Sequence, residues 1–543
     1  MRRAIAALSV IVLFLSACAQ VAPPPATQAV TPVATSDSSQ TIPERVDVLL
    51  GQMTLDEKIG QMTQVEENSL QSGDVTLYFI GSVLSGGGGS RSANSAKSWA
   101  KTVDGFQQEA LATRLGIPII YGIDAIHGHA SLYGATVFPQ PIGLGATRDV
   151  DLLRQIGRAT ADEMLATGIP WNFAPVIAVP QDIRWGRTYE SFGEDTDLVS
   201  ELGVAFIEGL QSLPDGYTPA AGQDLYLLAT PKHFLGDGGT TFGTSTQEIF
   251  KPYLIDQGDM RLDEATIRSL FLPPYQAALD SGAKSVMISF SSWNGVKMHA
   301  QKYWISDVLE GELGFQGFVV SDWGGIDQID KDYYKSTVTA INAGIDMNMV
   351  PYDYLRFIDT MKKAIENGDI TEERIDEAVR RILTVKFELG LFDHPYADKA
   401  FLDSVGSDEH RALARQAVRE SLVLLKNENS ALPIAKDTPL IYIAGQGADD
   451  IGMQCGGWTT EWQGETGNIQ PGMTILQGVQ AAVSQGAKVE YKARGEFDGM
   501  ANIGIVVVGE QPYAEGVGDA SDLSLSQADL QAITNLRAHS QKL

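Results

Sequence analysis

Titratable side chains sit where apolar runs end: Asp124 in "IPIIYGIDAIHG", Lys232 and His233 in "LYLLATPKHFLGDGG", and Asp322 in "GFVVSDWGG". Short runs rich in Val, Ile and Leu that give way to glycine read as buried strands leaving into loops. A carboxylate placed there, with the indole of Trp323 beside it, either caps the following helix or is presented to a ligand. Acid, base and cation recurring at strand ends favour presentation, because that end of a closed parallel sheet carries the active site. Metal and phosphate chemistry fit less well. His127 and His129 of "HGH" would share one face of a strand, but no HExxH and no third-ligand cluster accompanies them. "LSGGGGS" and "GDGGT" lack the Lys-Ser/Thr pair of a phosphate loop. No metal and no other cofactor is expected.

The runs that carry these groups belong to a longer series, at 80–87, 117–128, 169–179, 225–239, 283–295, 317–325 and 343–351, with helical stretches between them. Strands alternating with helices imply parallel βα units. A doubly wound open sheet is the alternative, but about seven or eight such units favour closure into a barrel. The expected fold class is therefore α/β, with an N-terminal (β/α)8 TIM-like barrel over residues 44–395. An inter-domain linker follows over 396–422, and then an α/β sandwich domain over 423–543 with strands in "PLIYIAG" and "IGIVVVGE". "TIPERVDVLLGQMTLDEKIGQMTQ", "HRALARQAVRESLVLLKN" and "SQADLQAITNLRAHSQKL" all read as helical. The chain stops just after the last of these, so the second domain is expected to be incomplete, with an open sheet edge.

A chain of 543 residues exceeds one small core and calls for at least two domains. Its 68 acidic and 40 basic residues give a formal charge of −28, the wrong sign for a nucleic-acid binder. "MRRAIAALSVIVLFLSACAQ" pairs two arginines with an apolar run too short to span a bilayer comfortably. Its end, Leu15-Ser16-Ala17-Cys18, resembles the lipobox of bacterial lipoproteins, which implies a signal peptide over 1–18 and lipidation of Cys18. Residues 19–43, rich in Pro, Thr, Ala and Ser, read as a tether. The expectation is an exported protein, lipid-anchored in the periplasm or at the outer membrane, touching the membrane only through that lipid. Cys455 is the other cysteine of the chain, so the lipidated protein could form no intrachain disulfide.

From about residue 44 to its end the chain resembles glycoside hydrolase family 3, in the β-glucosidase and β-glucan exohydrolase branch. The resemblance rests on motifs in order: "GIDAIHG", "FPQPIGLGATRD", "NFAPVIAVPQDIRWGRTYESFGED", "KHFLGDGGT", "MISFSSWNGVKMH", "GFVVSDWGG", "AGIDMNMVP", "SLVLLKN" and "QCGGWTTEWQG". Retaining cleavage of a glycosidic bond needs two carboxyl groups roughly 5–5.5 Å apart. Asp322 matches the family's nucleophile, which forms a covalent glycosyl-enzyme. Glu515, in "VVVGEQPYAEGVGD", resembles the acid/base, with Glu510 and Glu496 as rivals. Trp323 and Trp462 match two tryptophans that clamp the sugar on the leaving-group side. Asp124 matches the carboxylate that binds hydroxyls remote from the anomeric carbon. Arg187, Lys232 and His233 match the cationic side of that pocket. A salt bridge inside the barrel is the other reading of Asp124 and Arg187.

Two departures matter. Phe290 stands where many members have a tyrosine near the nucleophile, and members continue past residue 543 with further strands. The implied activity is removal of terminal glucose from β-glucan oligosaccharides or β-glucosides. A β-xylosidase, a β-N-acetylglucosaminidase of the same family and a non-catalytic sugar-binding lipoprotein are the alternatives. The second lacks support, because the loop after "KHF" has no Asp-Ser-His pattern.

Overall fold

The computed structural model describes residues 40–86, 93–428 and 431–543. The expected signal over 1–18, with Cys18, and the tether as far as residue 39 lie outside the described residues.

Eight parallel strands among the described residues follow one another around a ring. They are β1 (Thr63–Glu66), β2 (Ser82–Ser85), β3 (Ile120–Ile123), β4 (Trp171–Asn172), β5 (Leu228–Ala229), β6 (Ser285–Met287), β7 (Phe318–Val320) and β8 (Asn348–Met349). Ladders join them in the order β8-β1-β2-β3-β4-β5, and separately β6 to β7. Parallel bridges from Phe234 to Ile288 and from Val320 to Met347 connect the two sheets on both sides. The ring therefore closes, as the count of βα units implied. Helices such as Val150–Leu165, Thr196–Gln211 and Glu372–Glu388 pack around it. Each starts at a side-chain cap: Asp149, Asp195 and Thr371 accept the N–H of the residue three further on.

The helical reading of residues 41–64 is corrected in two places. One helix, Ile42–Leu50, stops before Gly51, and a second, Leu55–Gln61, starts from a capping box of Thr54 and Glu57. Residues 63–66 are then β1, buried throughout although Thr63, Gln64 and Glu66 are polar. Gln64 Nε2 donates to Ser82 Oγ at 2.8 Å, and Thr63 Oγ1 to the Ile59 carbonyl at 2.8 Å. Because three of its four buried side chains are polar, this strand has no apolar run to mark it.

One buried ion pair steadies the strand that leads to Asp322. Asp346, fully buried, accepts from Val319 N of β7 at 2.8 Å and from Arg374 Nη2 at 2.7 Å. Arg374→Ala strands that carboxylate and should cost about 3–5 kcal/mol. The loss should appear as a lower urea midpoint; an unchanged midpoint would remove the pair from this account of β7.

Residues 440–542 carry a second parallel sheet of β9 (Leu440–Ala444), β10 (Lys488–Tyr491), β11 (Ala501–Val506) and β12 (Ser540–Lys542), ordered β10-β9-β11-β12. Alternation along β9 divides its side chains between two faces. Ile441 and Ile443 cluster with Leu476 and Val479 of the helix Ile475–Ala482. Tyr442 and Ala444 cluster with Ala532 and Leu536 of the helix Gln527–Ala538. The domain is an α/β sandwich. Here too the sequence reading is corrected: the final helix ends at Ala538, and Ser540–Lys542 pairs with β11 as a strand. The helix Asp408–Ser421 buries Ala417 in the barrel's core cluster and stops there. Leu422 to Leu425 are not helical, and Leu425 is 91% exposed.

Candidate active site

The C-terminal ends of the barrel strands converge on a cavity of about 360 Å³ that the second domain roofs, within the range of small-molecule sites. Asp124, Arg187, Lys232, His233, Asp322, Trp323, Trp462 and Glu515 all line it. The structure thus brings these eight candidate residues together. Glu510 and Glu496 are not among its lining residues.

Asp322 stands two residues beyond β7. The turn carrying it is tied to β8 by Ser321 N to the Met347 carbonyl at 3.0 Å and Gly324 N to the Met349 carbonyl at 3.0 Å. Its Oδ1 accepts from Trp323 N at 2.7 Å, whereas Oδ2 is buried and accepts no hydrogen bond from the described residues. His233 Nε2 lies 3.6 Å from that oxygen. Asp322 N donates to His299 Nε2 at 3.1 Å. That assigns the proton of the neutral His299 ring to Nδ1, in keeping with a pKa pushed down to about 3, chiefly by burial. Burial also raises the Asp322 pKa, while His233, Arg187, the Trp323 N–H and Lys232 pull it back down.

His233 is itself oriented. Its Nδ1 lies 2.6 Å from Asp237 Oδ2, one turn of loop further on. Ser289 Oγ donates to Asp237 Oδ1. Burial favours the neutral form of Asp237, but His233, Arg187 and Ser289 together outweigh it and the carboxyl sits below its ordinary range. Lys232 Nζ pairs with Asp124 Oδ1 and lies 5.6 Å from the centre of the Trp458 ring.

Arg187 is buried on the long loop after β4. It makes a two-pronged contact with Glu190, Nε to Oε1 at 3.1 Å and Nη2 to Oε2 at 2.9 Å. Its Nη1 lies 3.9 Å from Glu515 Oε1. Burial disfavours the guanidinium charge, but Glu190, Glu515 and Asp256 together hold its pKa well above the ordinary value.

Glu515 comes from the second domain, on a loop following β11. Its side chain is 15% exposed, and its backbone is left-handed at φ 56°, a conformation uncommon outside glycine. Burial pushes its pKa up to about 8; Arg187 opposes this, and Asp256, Asp322 and Glu190 reinforce it. Asp256, with Trp185 Nε1 donating to it at 3.0 Å, is raised to about 7 by burial despite Arg187.

Aromatic rings form the mouth. A Cβ at Gly86 would lie 2.5 Å from the Trp323 ring, so only glycine leaves that indole its place. Trp323 meets Tyr352 edge to face at 5.6 Å, and Trp462 meets Phe250 at 6.2 Å. Trp458 packs against the cluster around Ile126 and also lines the cavity. Phe290 lines it too, 6.0 Å from His299.

The histidines of "HGH" serve the fold. His127 Nδ1 meets the Phe138 carbonyl at 2.9 Å and Nε2 meets Thr459 Oγ1 of the second domain at 3.1 Å. His129 Nε2 meets Thr167 Oγ1 at 3.1 Å. Among the described residues no group of His, Cys, Asp and Glu could hold a metal ion. Sequence reasoning missed Asp237, Asp256 and His299. Asp237 carried a signal, lying four residues after His233 inside "KHFLGDGG"; the other two are brought in by tertiary packing alone.

Residues 54–385 match the family described as Glycosyl hydrolase family 3 N terminal domain, and residues 422–543 its C-terminal domain. A lysosomal beta glucosidase of Dictyostelium discoideum is 32% identical over 544 aligned positions, covering 90% of this chain and 64% of that one. A periplasmic beta-glucosidase of Salmonella typhimurium is 33% identical, covering 82% of this chain and 55% of its own length. The solved exo-1,3/1,4-beta-glucanase of a Pseudoalteromonas species superposes with a TM-score of 0.84 at 40% identity, covering 92% of this chain and 63% of that one. The chain thus spans less than two thirds of the length of these relatives. With both domain matches in chain order, it belongs to glycoside hydrolase family 3.

Proposed function

We propose that the protein is a retaining, exo-acting β-glucosidase or β-glucan exohydrolase that removes terminal non-reducing β-D-glucosyl residues. The observation that carries this reading is the pairing in one cavity of two carboxyl groups that burial raises alike and that their other neighbours treat differently. Asp322 has cationic and N–H neighbours that favour its charge; Glu515 is held protonated near neutrality, with a pKa of about 8. Environments that push two carboxyls apart define a nucleophile and an acid.

In this reading the open oxygen of Asp322, Oδ2, attacks the anomeric carbon. Glu515 gives its proton to the departing oxygen, and a glycosyl ester forms on Asp322. Glu515, now a carboxylate, takes a proton from water, which cleaves the ester with a second inversion and net retention. Asp124, Lys232 and Arg187 hold the sugar hydroxyls through charged hydrogen bonds. Trp323 and Trp462 sandwich the leaving sugar at the mouth. The beta-glucosidases and the exo-glucanase among its relatives support glucose as the sugar. The charged, apolar and small-residue pattern of residues 1–18 supports export with a lipid on Cys18, and the periplasmic relative supports export itself.

The test is glucose release from 4-nitrophenyl β-glucoside and from laminaribiose, followed by proton NMR of the first-formed anomer. β-Glucose appearing first is the expected outcome. α-Glucose first would overturn the covalent mechanism, and faster turnover of 4-nitrophenyl β-xyloside would overturn the assignment of the sugar.

A further inference from the structure

The loop bearing Glu515 reaches from one domain to the other, and a single side chain fastens its far end. Asp519, 1% exposed, accepts four backbone N–H groups of the barrel among the described residues. Oδ2 takes Leu254 N at 2.8 Å, Ile255 N at 2.7 Å and Asp256 N at 2.9 Å, and Oδ1 takes Gly186 N at 2.8 Å. The two segments gathered this way are those that flank Glu515. Gly186 precedes Arg187, and residues 254–256 end in the buried carboxyl of Asp256. Lys251 Nζ adds a bond to the Asp519 carbonyl at 2.6 Å, and Ala520 N one to the Arg184 carbonyl at 3.0 Å.

The contact is close enough to be exacting. A Cβ on Gly186 would lie 2.2 Å from the Glu515 carbonyl oxygen and 2.7 Å from Gly518 Cα. A Cβ on Gly516 would lie 2.3 Å from the Tyr253 ring. Between these contacts Glu515 keeps its left-handed backbone, which costs free energy and persists only where the surroundings impose it.

We propose that Asp519 is a positioning residue for the acid/base: its carboxylate draws two barrel loops onto residues 515–519 and thereby sets both the reach and the desolvation of the Glu515 carboxyl. The inference rests on Glu515 being the acid/base. Asparagine has the same shape, but its NH2 cannot accept, so the cluster of donors met by Oδ2 or the single donor met by Oδ1 is left facing an N–H.

The experiment compares kcat/KM for laminaribiose, whose leaving group needs a proton, with that for 2,4-dinitrophenyl β-glucoside, whose leaving group does not. The proteins are the parent, Asp519→Asn, Gly186→Ala and Glu515→Gln, with circular dichroism to confirm folding. For Asp519→Asn the laminaribiose value should fall about 10²-fold or more, mainly in kcat, and the dinitrophenyl value less than about tenfold. The alkaline limb of its laminaribiose pH profile should also move below the parent's, because a loosened Glu515 loses the burial that raises its pKa. Gly186→Ala disturbs the same loop from the barrel side and should show the same selectivity; it serves as the readout if Asp519→Asn does not fold. Equal losses on both substrates in a folded variant, or no loss on either, overturn the inference. If Glu515→Gln fails to separate the two substrates, the acid/base assignment itself falls and takes this inference with it.

Discussion

Asp322→Ala lowers kcat/KM for 4-nitrophenyl β-glucoside by about 10⁴-fold or more, on the scale seen when a covalent nucleophile is deleted, while glucose still binds. The size follows from geometry. Oδ1 is pinned by Trp323 N and Oδ2 faces the cavity without a hydrogen bond from the described residues, so attack needs no rearrangement of the carboxylate. Alanine leaves no atom within reach of the anomeric carbon. Glu515, Asp124, Lys232 and Arg187 remain, so calorimetric binding of glucose should survive within about tenfold. Loss of activity with loss of binding would point to a collapsed pocket instead, and retention of more than a tenth of the activity would remove Asp322 from the reaction. A 2-deoxy-2-fluoroglucoside should label the parent on a peptide containing residues 317–325 and leave the variant unlabelled.

Glu515→Gln separates substrates by their leaving groups. Turnover of laminaribiose should fall about 10³-fold, within the range of a lost general acid, and that of 2,4-dinitrophenyl β-glucoside far less. The pH dependence gives a second signature. Glu515 must be protonated to act, and its pKa is raised to about 8. The kcat/KM profile of the parent should therefore fall as pH rises through about 8. Its acid limb follows the ionisation of Asp322, whose pKa is raised from the ordinary value. Glutamine has no proton to lose, so the alkaline limb should vanish and the acid limb stay. An alkaline limb that persists in the variant would assign it to another group; Asp256, at about 7, is the first to examine.

Much of this was legible in the residues, and the reasons differ from element to element. Asp322, Asp124, Lys232 and His233 could be found because each ends an apolar run, and a closed parallel sheet gathers its strand ends at one rim. Arg187, Glu515 and Trp462 sit on loops with no such periodicity and were reached through the resemblance of whole motifs. β1 was hidden because three of its four buried side chains are polar. β12 was hidden because its three residues, Ser-Gln-Lys, are polar and carry no apolar alternation. His299, Asp256 and Asp519 act through contacts 23 to 333 residues distant along the chain, and no local pattern reports separations of that length.

Arg187, whose charge acts on both carboxyl groups, gives the proposed cycle a constant ledger of charge. Before reaction the negative charge is on Asp322 and Glu515 is neutral. Once the ester forms, Asp322 is neutral and the charge has moved to Glu515. The guanidinium attracts both groups, so the migrating charge stays close to the same fixed cation throughout. Neither half-reaction then has to create net charge inside a poorly solvated cavity, and the field that steadies Asp322 at rest is the one that readies Glu515 to act as a base in the second half.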